Sequence, residues 1–376
     1  MREDRHTPTN MKKIMMVFGT RPEAIKMCPL ALELKNRPDV ALTVCVTGQH
    51  REMLDPVLDA FGVKPDFDLK IMQRGQTLFD ITSKVLNGMR DLLSAHRPDI
   101  VLVHGDPTTT FAAAVSSYYM GIPVGHVEAG LRTYNIHSPY PEEFNRQAVG
   151  IISKLNFAPT ETARDNLLRE GKAPQSIFVT GNTGIDALKT TVRDDYSHPE
   201  LDWAQGSRLV LLTAHRRENL GVPMGRIFRA IRRVADEFPD VKIIYPVHMN
   251  PPVVKAADEA FGGHPRIRLI PPLDVLAFHN MLARSYLVLT DSGGIQEEAP
   301  SLGKPVLVLR DTTERPEGLA AGTLKLTGTD EEKVYASFMS LLTDKNEYET
   351  MSKASNPYGD GFASKRIADI VAVHNA

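Results

Sequence analysis

The stretch Thr290-Asp-Ser-Gly-Gly-Ile-Gln-Glu-Glu-Ala299 directly follows the apolar run Tyr286-Leu-Val-Leu289. This order of residues predicts a buried strand, a tight turn at the two glycines and the first turn of a helix. Because a helix start carries unpaired N–H groups and glycines expose bare backbone, the turn can hold a phosphate. Glu298 would then reach the ribose of a bound nucleotide diphosphate. An ordinary strand-to-helix turn is the alternative that this stretch alone leaves open.

Short apolar runs alternate with helical segments along the chain, which predicts parallel sheets covered on both faces. The predicted strands are Ile14–Phe18, Leu42–Thr47, Ile100–His104, Val124–Glu128, Asn156–Ala158, Ile177–Thr180, Leu209–Thr213, Lys242–Pro246, Ile267–Ile270, Leu287–Thr290 and Val306–Leu309. The predicted helices are Ala24–Lys35, Leu78–His96, Phe111–Met120, Met224–Phe238, Val253–Phe261 and Gly294–Leu302. Residues 193–207 are polar without clear periodicity and are predicted to form a loop.

Two such sets of strands and helices predict an α/β protein with two Rossmann-like, doubly wound parallel-sheet domains. The segment Gly181-Asn-Thr-Gly184 marks the boundary, so that residues 11–182 form the first domain and residues 183–361 the second. Residues 1–10 are polar and charged and are predicted to be a disordered extension. A C-terminal helix over residues 362–376 is predicted to pack back on the first domain.

The composition fits two globular domains, with 376 residues of which 42% are hydrophobic and 24% charged. The formal net charge of -2 indicates neither a nucleic-acid partner nor binding to an anionic membrane. Cys28 and Cys45 lie in apolar segments and are expected in the core. No apolar run approaches the roughly 20 residues of a membrane span, and the first residues lack a signal-peptide core. A cytoplasmic protein is therefore expected.

Acidic side chains follow several predicted strands of the first domain at the point where each strand ends. Asp106 leaves the end of one predicted strand, Glu128 ends the next, and Glu142 and Glu143 lie beside a helix start with Arg146. Ligands of open α/β sheets bind outside the carboxyl ends of the strands, so these loops point to one place. A carboxylate on a buried strand end is costly unless it is paired or functional. Taken alone, Asp106 could equally be a plain helix cap.

Cationic and imidazole groups follow other strands. Arg21 and Lys26 flank the helix start after the first strand, an arrangement that is unfavourable unless an anion binds between them. A surface helix with solvated charges is the alternative. In the second domain His215 and His248 follow neighbouring strands, and Arg315 follows the last predicted strand. These side chains suit an anionic ligand, although a single histidine is more often structural.

The chain lacks Gly-x-Gly-x-x-Gly after a strand, Gly-x-x-x-x-Gly-Lys-Ser/Thr, His-Glu-x-x-His and Gly-x-Ser-x-Gly. The sequence therefore indicates no nicotinamide cofactor, no P-loop hydrolysis, no zinc peptidase and no serine hydrolase. No metal ligand set is recognised, and the predicted site consists of acids, bases and arginines.

Taken together, these segments resemble the non-hydrolysing UDP-N-acetylglucosamine 2-epimerases of bacteria. The resemblance is carried, in family order from residue 14 to about residue 362, by Phe18-Gly-Thr-Arg-Pro-Glu-Ala-Ile-Lys26, Gly48-Gln-His-Arg-Glu-Met-Leu54, His104-Gly-Asp106, His126-Val-Glu-Ala-Gly-Leu-Arg132, Pro141-Glu-Glu143, His215-Arg-Arg-Glu218, Tyr245-Pro-Val-His248 and Thr290 through Pro316. The combination is far more specific than any one of its motifs.

The resemblance implies a GT-B fold, in which two Rossmann-like domains enclose an interdomain cleft. It also implies reversible C2 epimerisation of UDP-GlcNAc and UDP-ManNAc by anti elimination of UDP to 2-acetamidoglucal and re-addition, without a cofactor. The product would supply ManNAc units for cell-surface polysaccharide. Implied partners are a UDP-sugar substrate, UDP-GlcNAc as an activator, and a second copy of the chain in a homodimer formed through the first domain.

Residue roles carry over by motif match. The implied catalytic residues are Asp106, Glu128, Glu142 and His215, and the roles of acid and base among the carboxylates stay open. The implied substrate-binding residues are Arg21, Lys26, Arg146, His248, Phe278, Ser292, Gly293, Gly294, Glu298 and Arg315. Gln49 and His50 match the region that binds the activator.

Other interpretations remain at this stage. An epimerase acting on a related UDP-2,3-diacetamido sugar, a GT-B glycosyltransferase and a hydrolysing epimerase share much of the pattern. A non-catalytic sugar-nucleotide sensor is a fourth, although a sensor would have no need for all of Asp106, Glu128, Glu142 and His215.

Overall fold

The computed structural model describes residues 11–48, 51–73 and 75–374, without the side chains of residues 51 and 52. The predicted extension over residues 1–10 and the candidate activator residues Gln49 and His50 lie outside the described residues. The chain divides into two compact units. The first contains the residues up to Thr190 and those from Gly359 onward, and the second runs from Thr191 to Tyr358.

Thirteen strands occur in the described part of the chain. They are β1 Lys12–Phe18, β2 Val40–Val46, β3 Phe67–Asp68, β4 Ile100–His104, β5 Val124–Val127, β6 Leu155–Ala158, β7 Ile177–Val179, β8 Arg208–Thr213, β9 Val241–Pro246, β10 Ile267–Ile270, β11 Leu287–Thr290, β12 Val306–Val308 and β13 Leu324–Leu326. Every registered strand pair is parallel.

The α-helices of the described residues alternate with these strands. They are α1 Arg21–Lys35, α2 Arg51–Phe61, α3 Leu78–His96, α4 Thr108–Tyr119, α5 Glu142–Ile152, α6 Glu161–Arg169, α7 Thr183–Thr191, α8 Pro199–Ala204, α9 Val222–Glu237, α10 Pro251–Phe261, α11 Val275–Arg284, α12 Ile295–Ser301, α13 Pro316–Ala320, α14 Glu331–Thr343, α15 Lys345–Lys353 and α16 Ala363–Val373. None of the described helices is both long and apolar enough to cross a membrane.

Each unit contains one parallel sheet. The first sheet has the order β3-β2-β1-β4-β5-β6-β7, and the second has the order β10-β9-β8-β11-β12-β13. The strand order reverses between β1 and β4 in the first sheet and between β8 and β11 in the second, so the loops after these strands diverge and leave room for a ligand. The prediction of two Rossmann-like, doubly wound domains is confirmed.

The central strands are buried on both faces, as a continuous apolar run requires. All five residues of β4 and all four of β11 are buried, the strand-end residues His104 and Thr290 among them. Shorter strands escaped the sequence analysis. Strand β3 has only two residues, and Lys325 separates the two leucines of β13, so neither forms a continuous apolar run.

Two segments differ from their predicted placement. The segment 193–207 is not entirely loop, because Pro199–Ala204 forms α8, whose first turn is capped by the side chain of His198. Helix α7, which the predicted boundary placed at the start of the second domain, lies almost wholly in the first unit. Asp186 on α7 accepts the backbone N–H groups of Ala363 and Ser364 at 3.2 and 2.7 Å, so α7 holds the start of α16 in the same unit.

Candidate active site

Glu128 follows β5 at the carboxyl end of the first sheet. Its backbone φ is 63°, a left-handed conformation that residues other than glycine seldom adopt. The Oε2 atom accepts a hydrogen bond from Lys26 Nζ and another from Asn182 Nδ2 at 3.3 Å. His104 Nε2 lies 3.7 Å from the same oxygen. A strained backbone at a polar strand end is a common mark of a functional site, and here it brings a carboxylate to a lysine.

Asp106 follows β4, the strand next to β5. Its Oδ2 atom lies 2.6 Å from Arg146 Nη2, and its backbone carbonyl accepts a hydrogen bond from Asn145 Nδ2 at 2.8 Å. Burial raises the pKa of Asp106 above its ordinary value. Arg146 opposes this rise, whereas the negative charges of Glu128 and Glu142 add to it. The three carboxylates predicted from the sequence therefore act on one another electrostatically.

The two neighbouring glutamates at the start of α5 have different environments. Glu142 is partly exposed, whereas Glu143 is fully buried and accepts the backbone N–H groups of Thr133 and Tyr134, each at 3.0 Å. Glu143 also accepts hydrogen bonds from Gln147 at 2.9 Å and Arg146 at 3.1 Å. Burial raises the pKa of Glu143, but these hydrogen bonds outweigh it and hold the pKa below its ordinary value.

Glu143 therefore anchors the loop before α5 and the guanidinium group that pairs with Asp106. The sequence analysis named this residue without giving it a role. Its burial and its hydrogen-bond partners, which come from loop and helix together, distinguish it from Glu142.

The start of α1 is held by a capping box. The Thr20 hydroxyl accepts the backbone N–H of Glu23 at 3.4 Å, and Glu23 Oε2 accepts the N–H groups of Thr20 at 2.8 Å and Gly19 at 3.0 Å. Glu23 is almost fully buried, and Thr110 donates to its Oε1 atom at 3.0 Å. Burial raises the pKa of Glu23 to about 7. Arg21 is the first residue of α1, which begins three residues before the predicted start at Ala24.

Two buried histidines accompany the carboxylates. Burial lowers the pKa of both His104 and His126 to about 4, so both rings are neutral at neutral pH. His126 Nε2 lies 2.7 Å from the carbonyl oxygen of Gly105, which fixes the loop that leads into Asp106. Both histidines belong to motifs quoted above but were assigned no role from the sequence.

In the second unit, His215 follows β8 and Asp291 follows the adjacent strand β11. Asp291 Oδ2 accepts the backbone N–H groups of His215 at 2.8 Å and Arg216 at 2.9 Å. The His215 ring stacks on the ring of His248 with centroids 5.2 Å apart and planes 8° from parallel. Burial lowers the pKa of His215, and Asp291 opposes this shift. The two predicted histidines thus lie together, and Asp291 contacts His215.

The glycine turn after β11 is bordered by guanidinium groups. A Cβ atom added to Gly293 would lie 3.5 Å from Arg315 Nη2 and 3.7 Å from Arg216 Nη2, with Glu314 Oε1 at 3.1 Å. The Ser292 backbone N–H donates to Thr290 Oγ1 at 2.9 Å, which shapes the turn. The Glu314 carboxylate is the nearest group, and the two guanidinium groups around it are donors of the kind that bind a phosphate.

Glu298 lies beside the same turn. Its Oε1 atom would be 3.7 Å from a Cβ atom on Gly294, and its Oε2 atom lies 3.6 Å from Nε2 of the buried His279. Phe278, which precedes His279 on α11, packs against the core of the second unit. In the described residues no group of three or more His, Cys, Asp or Glu side chains is arranged to hold a metal ion.

Comparison with known proteins adds a separate line of evidence. The family model described as UDP-N-acetylglucosamine 2-epimerase matches residues 32–372. The chain belongs to this family. It is 63% identical to the UDP-N-acetylglucosamine 2-epimerase of Bacillus subtilis over 362 residues, which cover 96% of this chain and 95% of that protein. The predicted resemblance to the non-hydrolysing bacterial epimerases is confirmed, and with it the enzyme class, an isomerase.

Solved structures of epimerase relatives extend this result. A Staphylococcus aureus protein solved with UDP has 52% identity and a TM-score of 0.89, with 96% of each chain covered. The UDP-GlcNAc 2-epimerase of Neisseria meningitidis bound to UDP-GlcNAc has 46% identity and a TM-score of 0.88, over 96% of this chain and all of that one. The GT-B fold class expected for this epimerase family is confirmed.

Proposed function

We propose that the protein interconverts UDP-GlcNAc and UDP-ManNAc by inverting C2 of the sugar. The reaction proceeds by anti elimination of UDP, which yields 2-acetamidoglucal, and by re-addition of UDP after the C2 proton returns on the opposite face. The observation that carries this proposal is the cluster of Asp106, Glu128 and Glu142 in the first unit. Inversion at a carbon needs proton removal on one face and delivery on the other, and therefore more than one carboxyl group.

The electrostatics of the cluster support this chemistry. Glu128 pairs with Lys26, which favours its charged form, whereas burial and two neighbouring carboxylates favour a proton on Asp106. Titratable groups in opposed environments are the usual source of acid and base in one site. Arg21, Lys26 and Arg146 would bind the sugar and its first phosphate.

The second unit supplies the groups for the leaving diphosphate. Its negative charge grows as the C1–O bond breaks, and preorganised donors stabilise such developing charge. Arg315 borders the turn at Gly293 and Gly294, and His215 would act beside the phosphates, supported by its stacked neighbour His248. Ser292 would also bind the diphosphate, Glu298 the ribose and Phe278 the uracil.

The names of the relatives support the substrate class, since one of them is solved with UDP-GlcNAc and another with UDP. The proposed route moves one proton out and one proton in and is redox neutral, so it needs no electron carrier. UDP-GlcNAc would also serve as the activator, and the product would supply ManNAc units for a cell-surface polysaccharide.

Proton NMR in heavy water tests the mechanism. Purified protein is incubated with UDP-GlcNAc, and the H2 signals of both sugars are followed over time. UDP-ManNAc should appear, and both UDP-ManNAc and recovered UDP-GlcNAc should acquire deuterium at C2. Full epimerisation with the original C2 hydrogen retained would exclude elimination. Transfer of GlcNAc to an added acceptor, without epimerisation, would instead indicate a glycosyltransferase.

A further inference from the structure

Asp291 is a completely buried carboxylate to which no role was given from the sequence. Its Oδ2 atom accepts the backbone N–H groups of His215 and Arg216, and a third hydrogen bond from Asn219 Nδ2 at 3.2 Å. Asn219 Nδ2 also donates to the carbonyl oxygen of Leu309 at 3.0 Å. Asp291 Oδ2 thus connects the loop after β11 to the loop after β8. Asn219 extends this network to the loop after β12.

The other oxygen, Oδ1, is buried and has no hydrogen-bond partner among the described residues. His215 Nδ1 lies 3.5 Å away. A buried carboxylate oxygen without a donor is costly, and hydrogen bonds of ligand-free active sites are often long and shorten when the ligand binds. The imidazole N–H is therefore the natural partner of Oδ1.

We propose that Asp291 is a positioning residue that holds His215 in the tautomer with the proton on Nδ1. Nε2 is then the basic nitrogen of the ring, and it would become an N–H donor to the leaving diphosphate when it takes up a proton, with Asp291 beside Nδ1 stabilising the imidazolium. The consequence for turnover rests on the proposed function, whereas the tautomer does not.

Two features keep the ring in this orientation. The backbone N–H of His215 itself donates to Asp291, so the same carboxylate fixes both the main chain and the side chain of this residue. Stacking on His248 restricts rotation of the ring. Burial lowers the pKa of His215, so the neutral ring, for which a tautomer is defined, is the form present above neutral pH. An aspartate beside Nδ1 is the standard way in which proteins fix a histidine tautomer.

Asp291→Asn separates this role from simple support of the loop. The amide oxygen can replace Oδ2 and keep the backbone hydrogen bonds, while the amide NH₂ replaces Oδ1. As a donor facing Nδ1, the NH₂ group requires the opposite tautomer, with the proton on Nε2. The variant therefore keeps the backbone hydrogen bonds of the loop and changes the tautomer of the His215 ring.

The measurement is ¹⁵N NMR of histidine-labelled protein at pH 8, with the His215 signals assigned by their loss in His215→Gln. We expect an Nδ1–H tautomer in the unsubstituted protein and an Nε2–H tautomer in Asp291→Asn. Turnover should fall by about 10²-fold or more, the scale of a lost proton-transfer group, while UDP affinity measured by calorimetry changes little. In a His215→Ala background, Asp291→Asn should cause little further loss.

Asp186→Asn is the matched control, because Asp186 is also buried and also accepts two backbone N–H groups, in the first unit. It should lower stability without changing the His215 tautomer or turnover. An Nε2–H tautomer in the unsubstituted protein, or an unchanged tautomer in Asp291→Asn, would overturn the proposal. If Asp291→Asn fails to fold, the tautomer measured in the unsubstituted protein still tests the proposal. If that protein shows no epimerisation, the proposed function fails but the tautomer measurement still stands.

Discussion

Arg146 Nη2 lies 2.6 Å from Asp106 Oδ2, and this ion pair joins α5 to the loop after β4. The other terminal nitrogen of Arg146 lies 3.1 Å from buried Glu143. The guanidinium group is thus fixed from one side and presented to the carboxylate on the other. It also opposes the rise in the pKa of Asp106 that burial causes.

Arg146→Met should raise the pKa of Asp106 further, because burial and the neighbouring carboxylates then act without opposition. Whichever limb of the pH–rate profile Asp106 governs should move to higher pH, and turnover should fall by about 10²-fold. The measurement is kcat/KM for UDP-GlcNAc between pH 5 and pH 9. Arg164→Met, which removes an exposed arginine paired with Asp165, is the control and should leave the profile unchanged. An unaltered pH–rate profile in Arg146→Met would contradict the proposed role of Asp106 as a proton-transfer group whose pKa Arg146 lowers.

Glu142→Gln should lower turnover and Glu143→Gln should lower stability, although the two residues are neighbours. Glu142→Gln should lower turnover by about 10²-fold and leave thermal stability unchanged, because Glu142 is partly exposed. Glu143→Gln should cost about 1–3 kcal/mol of folding free energy, because it weakens a buried network that includes Arg146. Denaturant unfolding and turnover of both variants check this. Equal stability loss in the two would show that the distinction is wrong.

Glu23→Gln should change how stability depends on pH. The pKa of Glu23 is about 7 in the folded protein against an ordinary value of 4.5, so the folded state holds the proton more tightly than the unfolded state. The stabilisation is complete below pH 4.5 and is lost as pH rises through 7, a difference of about 3 kcal/mol. Because glutamine stays neutral, this loss should disappear in the variant. Thermal unfolding at pH 5 and pH 8 tests it, and a slope like that of the unsubstituted protein would refute it.

Gly293→Ala should weaken UDP binding more than it weakens the fold. The added methyl group would occupy the space bordered by Glu314, Arg315 and Arg216. Calorimetry should show a loss of about tenfold or more, since a displaced charged hydrogen bond is worth about 1.5–3 kcal/mol. Gly225→Ala is the control, because its Cβ would meet only the flexible end of Arg229 at 3.5 Å. That change should stabilise α9 by about 0.5–1 kcal/mol and leave UDP affinity unchanged.

A homodimer formed through the first unit is expected from the family resemblance. Helices α3, α4 and α5 carry exposed apolar side chains, including Phe79 at 86%, Tyr119 at 76% and Ile151 at 75% exposure. Such side chains are common at interfaces between subunits. Light scattering at micromolar concentration should give twice the mass of the chain, and Tyr119→Glu should reduce it. A monomeric unsubstituted protein would remove the basis for this expectation.

The two sheets could be read from local sequence because their central strands are buried on both faces. Strands such as β4 and β11 are continuous apolar runs bounded by polar loops. A run of this kind predicts a buried strand even when the segments that pack against it are unknown. Strands β3 and β13 carry no such signal. Helix α8 was missed because its capping residue His198 is not a typical N-cap.

The sequence by itself determined the family, the two parallel sheets and the strand ends at which Asp106, Glu128 and His215 stand, because these depend on local order along the chain. Only the tertiary structure gave Glu143 and Glu142 different environments. It also placed Asp291 against His215, which is 76 positions away along the chain. Burial and hydrogen-bond partners come from contacts between distant segments. Those contacts decide whether a carboxylate is a buried support or an accessible acid, and local sequence does not encode them.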